Sequence, residues 1–453
     1  MPLLVRNRNS KSEGISPLVK KYNLSLREIY EFENLRIASK KARKGKLKYS
    51  EVIKFNKNET LNLLKIWFLL FLKTYTTGEY RQKIIYEPKE RVIYILDYIH
   101  RVVQHALINK LEPIINSMLI KDTYSCIKGR GMHKASLRTI EFVQQNKYCL
   151  KMDIRKFYPS INHDILYSMF ERKFKDKGLL WLIKDIIYSF PGENNAPIGN
   201  LTSQIFGNFY MSALDRYVKE DLKIKDYIRY CDDFLLFSNN KEELHRAKFL
   251  VRDFLRENLK LELSKSDLFP VSRGVDFMGY RHFSTYLLLR KSTAKRIKKR
   301  IPKIYKLFKK NKIPIDIFRS IIESHIGWAS WANCHNFLES TKLLDIKGEV
   351  MAKFSEIATE NDKNLRKLEG NSVKIEDWLD KPIRITAYRI EPSKFSDKSG
   401  KPKNRIGFEF YFEGTPRVIF TSSGTLIYLI QKYYSQEGLE CKIVRRNGQL
   451  MLE

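Results

Sequence analysis

Apolar residues recur at helical spacing in several long segments of the chain. The run SLREIYEFENLRIASKKARKGK near the N-terminus has this spacing and ends in a cluster of positive charges. The pattern returns in RVVQHALINKL (Arg101 to Leu111), in HDILYSMFERKF and in SQIFGNFYMSALDRYVKEDL. A period near 3.6 residues predicts an amphipathic helix in each of these segments.

Other segments have the alternation or the composition of strands. The run KIIYEPKERVIYIL alternates apolar and charged residues, and YCLKMDI predicts a strand that ends at Asp153. The stretch YIRYCDDFLLFS predicts two short strands around a tight turn at Cys231–Asp232, because aspartate is common in turns and the flanks are strand formers. VDFMGYRHFSTYLLLR predicts a further hairpin.

The segment from Lys291 to Pro314 holds eleven Lys and Arg residues and no acidic residue. Its apolar residues Ile297, Ile301, Ile304 and Phe308 recur at helical spacing. The pattern predicts a helix with one apolar and one strongly basic face, and helical sequence continues to about Glu369.

Near Lys374 the pattern changes to short strand-like runs. Three such runs, one helix-like run and two final strand-like runs predict a separate small β-rich domain over residues 375–453. The predicted order is similar to that of an OB-fold, which binds single-stranded nucleic acid with aromatic side chains. Phe408, Phe410, Tyr411 and Phe412 are candidates for that contact or, equally, for the core of the domain.

Composition adds a partner to this picture. The chain has 453 residues and a formal net charge of +33, from 84 Lys and Arg against 51 Asp and Glu. So large an excess indicates a polyanionic partner, and nucleic acid fits it better than a membrane surface. The apolar run Ile66 to Leu72 is far too short to span a bilayer, the N-terminus lacks a signal-peptide pattern, and the five cysteines form no CxxC pair. A cytoplasmic protein without a membrane partner is expected.

Three carboxylates are the candidate catalytic groups. Asp153 ends one predicted strand, and Asp232 and Asp233 lie in the turn of a predicted hairpin. If the hairpin lies beside the first strand, the carboxylates meet and can hold two Mg²⁺ ions, which prefer oxygen ligands and promote displacement at phosphorus. A solvated turn is the alternative for the Asp pair alone.

Several motifs around these carboxylates resemble the palm and fingers of a reverse transcriptase. They are KMDIRKFYPSI around Asp153, APIGNLTSQIFGNFY, the YCDD box, FMGY about 45 residues later, and the upstream run RVVQHALINKLEPIINSMLIKDTYSCIKGRGMHKA. The resemblance covers roughly residues 80 to 335 and extends to bacterial enzymes like those of group II introns. It implies an α+β right-hand polymerase fold with fingers, palm and a helical thumb that contains the basic helix.

The resemblance also implies roles at the catalytic carboxylates and the residues beside them. Asp153, Asp232 and Asp233 become the catalytic triad and the ligands of two Mg²⁺ ions, with Mn²⁺ as an alternative metal. Tyr158 falls where an aromatic residue screens the sugar 2′ position, unless it is ordinary core. Lys265 falls where a lysine protonates the leaving pyrophosphate, unless it is simply solvated.

Further positions are implied to contact the incoming nucleotide or the template. Arg91, Arg101 and Arg130 fall in fingers motifs, where the guanidinium fork suits phosphate oxygens, although each is also readable as a surface charge. FMGY is the implied primer grip, and its aromatics are equally candidates for core. Cys334, His325 and His335 match no common zinc pattern, and packing within the thumb is the better interpretation.

One segment departs from the general pattern. Where most of the family has Pro-Gln-Gly, this chain has Pro197, Ile198 and Gly199, and PIGNLTSQ as a whole is similar to the motif of diversity-generating retroelement enzymes. That resemblance implies error-prone copying of a template-repeat RNA into cDNA, together with a small basic accessory protein. An apolar residue at 198 fits relaxed selection of the incoming base.

The sequence thus predicts an RNA-directed DNA polymerase that uses deoxynucleoside triphosphates, a template RNA and its cDNA. A defence-associated enzyme of abortive-infection or retron type is the first alternative, and a non-catalytic RNA-binding protein is the second. The expected domains are a basic helical N-terminal extension over 1–78, fingers and palm over 79–285, thumb over 286–370 and the β-rich domain over 375–453.

Overall fold

The computed structural model describes residues 21–86, 90–351, 371–396, 402–412, 415–421, 423–433, 439–446 and 449–452. The predicted N-terminal extension and thumb each reach beyond this set, at residues 1–20 and 352–370. The chain divides into two compact units, the first formed by 1–303 with 325–341 and the second by 304–324 with 342–453. Across the described residues, every helix is too short or too polar to cross a membrane.

The N-terminal region is helical, as its periodicity predicts. Its helices are α1 (Leu26–Tyr30), α2 (Phe32–Ala42), α3 (Ser50–Lys57) and α4 (Glu59–Phe71). Helix α1 begins at a capping box in which Ser25 and Glu28 satisfy each other's backbone donors. Helices α1, α2 and α3 pack against the long helix α5 (Tyr98–Met118). The predicted segment 101–111 is only the middle of α5, which continues through Pro113 because Leu111 and Ile115 on either side are buried.

A two-stranded hairpin precedes α5. Its strands β1 (Arg81–Tyr86) and β2 (Glu90–Ile95) pair antiparallel, so the alternation in this segment is confirmed as extended structure. After α5, helix α6 (Met132–Gln145) leads into β3 (Tyr148–Ile154), the predicted strand that carries Asp153.

The central sheet has four antiparallel strands in the order β4-β5-β3-β6, with β4 (Asp226–Tyr230), β5 (Asp233–Ser238) and β6 (Leu263–Pro270). Leu150 and Met152 of β3 point into the core shared with the flanking helices. These helices are α7 (Phe157–Ser160), α8 (His163–Lys173), α9 (Lys177–Tyr188), α10 (Leu201–Arg216) and α11 (Lys241–Asn258). Because side chains alternate along a strand, Lys151 and Asp153 lie on the opposite face.

A second small sheet follows β6. Its strands are β7 (Val275–Phe277), β8 (Tyr280–His282) and β9 (Leu287–Leu289), so the predicted hairpin gains a third strand. The β7–β8 turn is formed by Met278 and Gly279, both with positive φ, which is the geometry that matches the twist of paired strands.

The basic segment forms helix α12 (Lys291–Lys309), followed by α13 (Ile315–Ala329) and α14 (His335–Ser340). All four periodic apolar residues of α12, Ile297, Ile301, Ile304 and Phe308, are buried, which confirms the predicted amphipathic pattern. Within the second unit, the rings of Phe308 and Phe318 stack with centroids 4.2 Å apart.

The C-terminal region forms a six-stranded sheet in the order β10-β13-β12-β11-β14-β15. The strands are β10 (Asn371–Ser372), β11 (Pro382–Ser396), β12 (Pro402–Phe412), β13 (Thr415–Thr421), β14 (Leu439–Arg446) and β15 (Gln449–Leu452), with a helix at Gly424–Tyr433. The predicted order of strands and helix is confirmed. Phe408 and Phe410 are fully buried in the core of this sheet, whereas Tyr411 is exposed, so of the three candidates whose side chains are described, Tyr411 is the one available for a ligand. The side chain of Phe412 lies outside the described residues.

Candidate active site

The turn between β4 and β5 positions the adjacent aspartates. Tyr230 pairs with Asp233 across the hairpin, which leaves Cys231 and Asp232 as the two-residue loop. Cys231 has a φ of 60°, a left-handed conformation that costs a non-glycine residue energy. The guanidinium of Arg229 donates a hydrogen bond to the Cys231 carbonyl at 3.0 Å and thereby holds this turn.

Asp153 lies next to the turn. In the pairing of β3 with β5, Asp153 is directly opposite Asp233, and the N–H of Ile154 donates to the carbonyl of Asp232 at 3.3 Å. Opposed residues of neighbouring strands project from the same face of a sheet. The fold therefore brings the three carboxylate-bearing residues to one end of the central sheet.

Two neighbouring side chains hold these carboxylates. The ammonium of Lys151 lies 3.2 Å from an oxygen of Asp233 and donates a 2.6 Å bond to the carbonyl of Asp276. The hydroxyl of Ser264 donates to Asp153 at 2.5 Å. Lys151 and Asp153 share a face of β3, so an ammonium sits within the carboxylate cluster.

The surroundings of Asp232 and Asp233 disfavour the charged forms of both carboxylates. Burial raises the pKa of Asp232, and the nearby charge of Asp153 raises it further, while Arg91 acts in the opposite direction. Burial also raises the pKa of Asp233 to about 6 against the opposing effect of Lys151, with Asp153 and Asp232 adding repulsion. A positive ion among the three residues would relieve both effects.

The donor set fits a divalent cation in its chemistry. Three carboxylates meet the oxygen preference of Mg²⁺, and Oδ1 of Asp233 is buried without a hydrogen-bond partner. Within the described residues, however, no group of three or more His, Cys, Asp or Glu side chains is arranged so that it could hold a metal ion as it stands. Ser264 and Lys151 engage the Oδ2 atoms of Asp153 and Asp233, which leaves the buried Oδ1 of Asp233 free to meet an ion.

Tyr158 lies against the β4–β5 turn. The thiol of Cys231 lies 3.4 Å from the Tyr158 hydroxyl. The Tyr158 ring packs beside the ring of Phe157 and against the backbone of Gly207. A methyl group at position 207 would come within 3.3 Å of the Tyr158 ring. Burial raises the pKa of this hydroxyl far above its ordinary value, so the side chain stays neutral.

The segment Pro197 to Gly199 joins the fingers hairpin. The N–H of Tyr94 in β2 donates to the carbonyl of Ile198 at 2.8 Å. Gly199 has a φ of 121°, and a Cβ there would lie 2.4 Å from the carbonyl oxygen of Tyr94. Only glycine allows this approach, which fixes the half-buried Ile198 beside β2.

The three predicted phosphate-binding arginines differ in their surroundings. Arg91 is exposed on β2 and close enough to Asp232 to influence its pKa. Arg101 pairs with Glu51 of α3 and lies over the ring of Tyr98. Arg130 donates hydrogen bonds to the carbonyls of Ile120 and Thr123 at 2.9 and 2.8 Å, and these contacts stabilise its own loop. Of the three, only Arg91 is both exposed and electrostatically coupled to the carboxylates.

Lys265 is exposed on β6 directly opposite Asp153. It lines a cavity of about 450 Å³ beside the carboxylate cluster. Six cationic and two acidic side chains contribute to this cavity, and the lining residues are Lys151, Lys265, Asp267, Phe269, Arg273, Gly274, Asp276, Arg281, Arg290, Lys291 and Ser292. Such a surface suits the phosphates of a nucleic acid strand.

The predicted primer grip is partly core. Phe277 and Tyr280 are fully buried, and the Tyr280 hydroxyl donates to the carbonyl of Trp328 at 3.0 Å. The turn residues Met278 and Gly279 are therefore the part of FMGY that is left to meet a ligand.

Sequence reasoning missed a buried ion pair beneath the site. Arg229 and Asp215 of α10 are both fully buried and joined by two hydrogen bonds of 2.7 Å. Asp215 also accepts from Tyr227 at 2.8 Å and from Thr123 at 3.2 Å. The sequence does hold a signal for this ion pair: a single arginine lies between apolar residues of a predicted strand, and such a charge is buried only with a partner. Lys151 and Ser264 were missed as well, because their roles depend on strand register.

Residues 83–282 match the family model described as reverse transcriptase (RNA-dependent DNA polymerase). Residues 369–447 match a second model, described only as a domain of unknown function. The first match contains Asp153, Asp232, Asp233 and Lys265.

Parts of the chain are similar in sequence to parts of other proteins. The retron Ec73 reverse transcriptase of Escherichia coli is 28% identical over 194 residues, which are 39% of this chain and 55% of that protein. A putative COX1/OXI3 intron 2 protein of Saccharomyces cerevisiae is 20% identical over 353 residues, 61% of this chain and 40% of that protein. The chain thus spans about half the length of these relatives. Residues 83–282 of the chain thus match the reverse transcriptase model, and the strands that bring Asp153, Asp232 and Asp233 together lie within this match.

Proposed function

We propose that this chain is an RNA-directed DNA polymerase that adds deoxynucleotides to a primer on an RNA template. The observation that carries the proposal is the opposition of Asp153 and Asp233 on neighbouring strands, with Asp232 at the adjoining turn, inside the matched domain. Asp153, Asp232 and Asp233 would hold the divalent ions. When bound, two such ions stabilise the attacking and leaving oxygens of an in-line displacement at phosphorus.

The surrounding residues suit the substrates of that reaction. In this proposal Arg273 and Arg281 of the cationic cavity would bind strand phosphates, and Arg91, which acts electrostatically on Asp232, would meet the incoming triphosphate. Tyr158, which contacts Phe157 and Cys231, would limit the space for a sugar 2′ hydroxyl. Lys265 is in position to give a proton to the departing pyrophosphate.

Template-directed synthesis tests the activity. The full chain is incubated with a DNA primer annealed to an RNA of defined sequence, the four deoxynucleoside triphosphates and Mg²⁺ or Mn²⁺. The expected product is a DNA whose sequence is complementary to the RNA and which is absent when EDTA is present. Failure to extend any primer with either metal would leave a non-catalytic RNA-binding protein as the better interpretation.

The biological setting has two candidates. The PIGNLTSQ segment favours a diversity-generating retroelement, in which a template-repeat RNA is copied with errors and an accessory protein assists. The similarity to a retron reverse transcriptase favours a defence-type enzyme instead. A pair of near-identical repeats in the flanking DNA that differ mainly at adenines supports the first, and a neighbouring structured-RNA gene without such repeats supports the second.

Ile198 connects the first candidate to fidelity. Its carbonyl accepts a hydrogen bond from the N–H of Tyr94, which fixes the backbone, and its apolar side chain stands where most of the family has a glutamine amide. We expect Ile198→Gln to lower misincorporation opposite template adenine, as read by sequencing the cDNA, and Ile198→Val to leave the error spectrum unchanged. An identical spectrum in all three proteins would remove Ile198 from the argument.

A further inference from the structure

Helix α4 presents a second apolar face to solvent. Its inward stripe, Leu63, Ile66 and Leu70, is buried in the core. On the opposite side, Leu61, Leu64, Phe68, Phe71 and Leu72 are exposed, with exposures from 46% at Leu64 to 66% at Leu61. These residues recur at spacings of three and four, so they form one stripe on the helix. A contiguous apolar surface of this kind is unusual on a soluble domain and marks an interaction site.

The stripe continues into a recess. A cavity of about 520 Å³ lies beside the C-terminal half of α4, lined by Arg27, Glu28, Tyr30, Glu31, Phe32, Trp67 and Phe71. The rings of Trp67 and Phe71 are stacked at 5.0 Å and 7°, and the ring of Tyr30 meets both edge-on. The stripe and this recess are together called the α4 face. It has the shape that accepts one amphipathic helix with a large anchoring side chain.

The charges around the α4 face select the partner. Lys54, Lys57, Lys65 and Lys73 are exposed along α3 and α4, and none has an ion pair with any described residue. The acidic residues of the two helices are already engaged, since Glu51 pairs with Arg101 and Glu59 with Arg43 at 3.1 Å. The apolar stripe is therefore bordered by uncompensated positive charge, whereas the lining of the recess carries both signs, with Arg27, Glu28 and Glu31.

Other occupants fit this surface less well. A second copy of the chain would bring the same lysines against each other, which opposes association. RNA would match the charge of the stripe, but three of the five stripe residues are leucines, which give nucleobases no flat stacking surface. In the recess, the rings of Trp67, Phe71 and Tyr30 already pack on one another.

We propose that the α4 face docks an amphipathic helix of a protein partner whose apolar stripe is flanked by acidic residues. The inference does not depend on the polymerase activity. An acidic flank also distinguishes this partner from the basic accessory protein that the retroelement resemblance implies.

Fluorescence anisotropy with a designed probe tests the proposal. The probe is a labelled helical peptide with leucines at i, i+3, i+4 and i+7 and glutamates on both flanks, and its control has lysines in place of the glutamates. At low salt the full chain should bind the glutamate peptide at least tenfold more tightly than the lysine peptide. Equal affinity for the two peptides, or no binding of either, would overturn the proposal.

Variants locate the binding. Leu64→Glu with Phe68→Glu should weaken binding of the glutamate peptide at least tenfold, whereas Phe249→Glu, at an exposed aromatic residue of α11, should not change it. Lys57→Glu with Lys65→Glu, which spares the apolar stripe, should reverse the preference between the peptides. Binding that survives both double changes would place the site elsewhere. If the chain binds the glutamate peptide only after deletion of residues 1–20, those residues are the occupant of the α4 face. If an RNA oligonucleotide competes with the peptide and abolishes its binding, RNA is the occupant.

Discussion

At the scale of single residues, the catalytic turn depends on conformations that few residue types adopt. Cys231 takes a positive φ at the centre of YCDD, and its carbonyl is held by Arg229. Gly199 takes a positive φ where the loop before α10 meets β2. Through Cys231 the β4–β5 turn is joined to Arg229, and through Gly199 the loop before α10 is joined to β2. Within the described part of the chain, the carboxylate side chains make no such backbone connections.

Gly199→Ala should destabilise the protein because the new methyl group would meet the Tyr94 carbonyl in a disfavoured backbone region. Strain of this kind costs on the order of 1–3 kcal/mol. Chemical denaturation measures the change in free energy of unfolding. Gly192→Ala is the matched control, since Gly192 also has a positive φ of 100° but has nothing near its missing Cβ. A loss no larger than that of the control would show that the contact with Tyr94 does not constrain position 199.

At the scale of elements, β4 is attached to α10 through the buried pair of Arg229 and Asp215. Asp215→Asn should lower the free energy of unfolding by about 3–5 kcal/mol, because it leaves a buried guanidinium without its counter-charge. Asp253→Asn removes an exposed carboxylate that pairs with Arg252 and Arg256 on α11, and should cost less than about 1 kcal/mol. Urea unfolding of both variants makes the comparison, and similar losses would mean that the pair does not hold these elements together.

The β7–β9 sheet is attached to α6 through His282. Its ring nitrogens contact the Ser136 hydroxyl at 2.8 Å and the Val275 carbonyl at 3.1 Å, and burial lowers the pKa of His282 to about 4. A folded-state pKa below the unfolded one means that the unfolded chain takes up the proton first, so stability is lost as the pH falls from about 6.5 towards 4.

His282→Asn should therefore flatten the pH dependence of stability. Between pH 7 and 5 the His282 contribution is roughly 2 kcal/mol, which the wild-type chain loses and the variant does not. The change in unfolding free energy between these two pH values is the measurement, whatever the absolute stability of the variant. His105, whose pKa burial also lowers, contributes equally in both proteins and cancels. Identical slopes would contradict this assignment.

The sequence predicted these elements unevenly, for physical reasons. Periodicity identified α12 and the YCDD hairpin, because burial of Ile297 or of Phe234 follows directly from local spacing. It left open whether Phe277 and Tyr280 are core or primer grip, and it did not reveal that Lys151 and Ser264 touch the carboxylates, because those contacts arise from register between strands distant in sequence. Arg130 and Arg101 illustrate the same limit: their motif predicted phosphate contacts, which stay a prediction, and gave no sign of the tertiary partners that both residues have in the structure.

At the scale of the whole molecule, a net charge of +33 and a cationic cavity beside three carboxylates belong to one function. Under the proposed function, the positive surface would attract a nucleic acid strand, and the carboxylates would provide the place where metal ions and a triphosphate meet it. The α4 face adds a separate surface for a protein partner. The C-terminal sheet matches a domain of unknown function, and its exposed Tyr411 leaves a nucleic acid contact open to test.

Primer extension by Asp232→Asn is the most direct test of this account. The variant keeps the size of the side chain while removing a charge at the catalytic turn, and Asp253→Asn serves as the matched carboxylate control on the surface of α11. The account predicts that wild type and Asp253→Asn extend a primer on RNA alike, while Asp232→Asn loses at least a hundredfold in rate with its melting temperature unchanged or raised. Extension by Asp232→Asn at the wild-type rate would contradict the account.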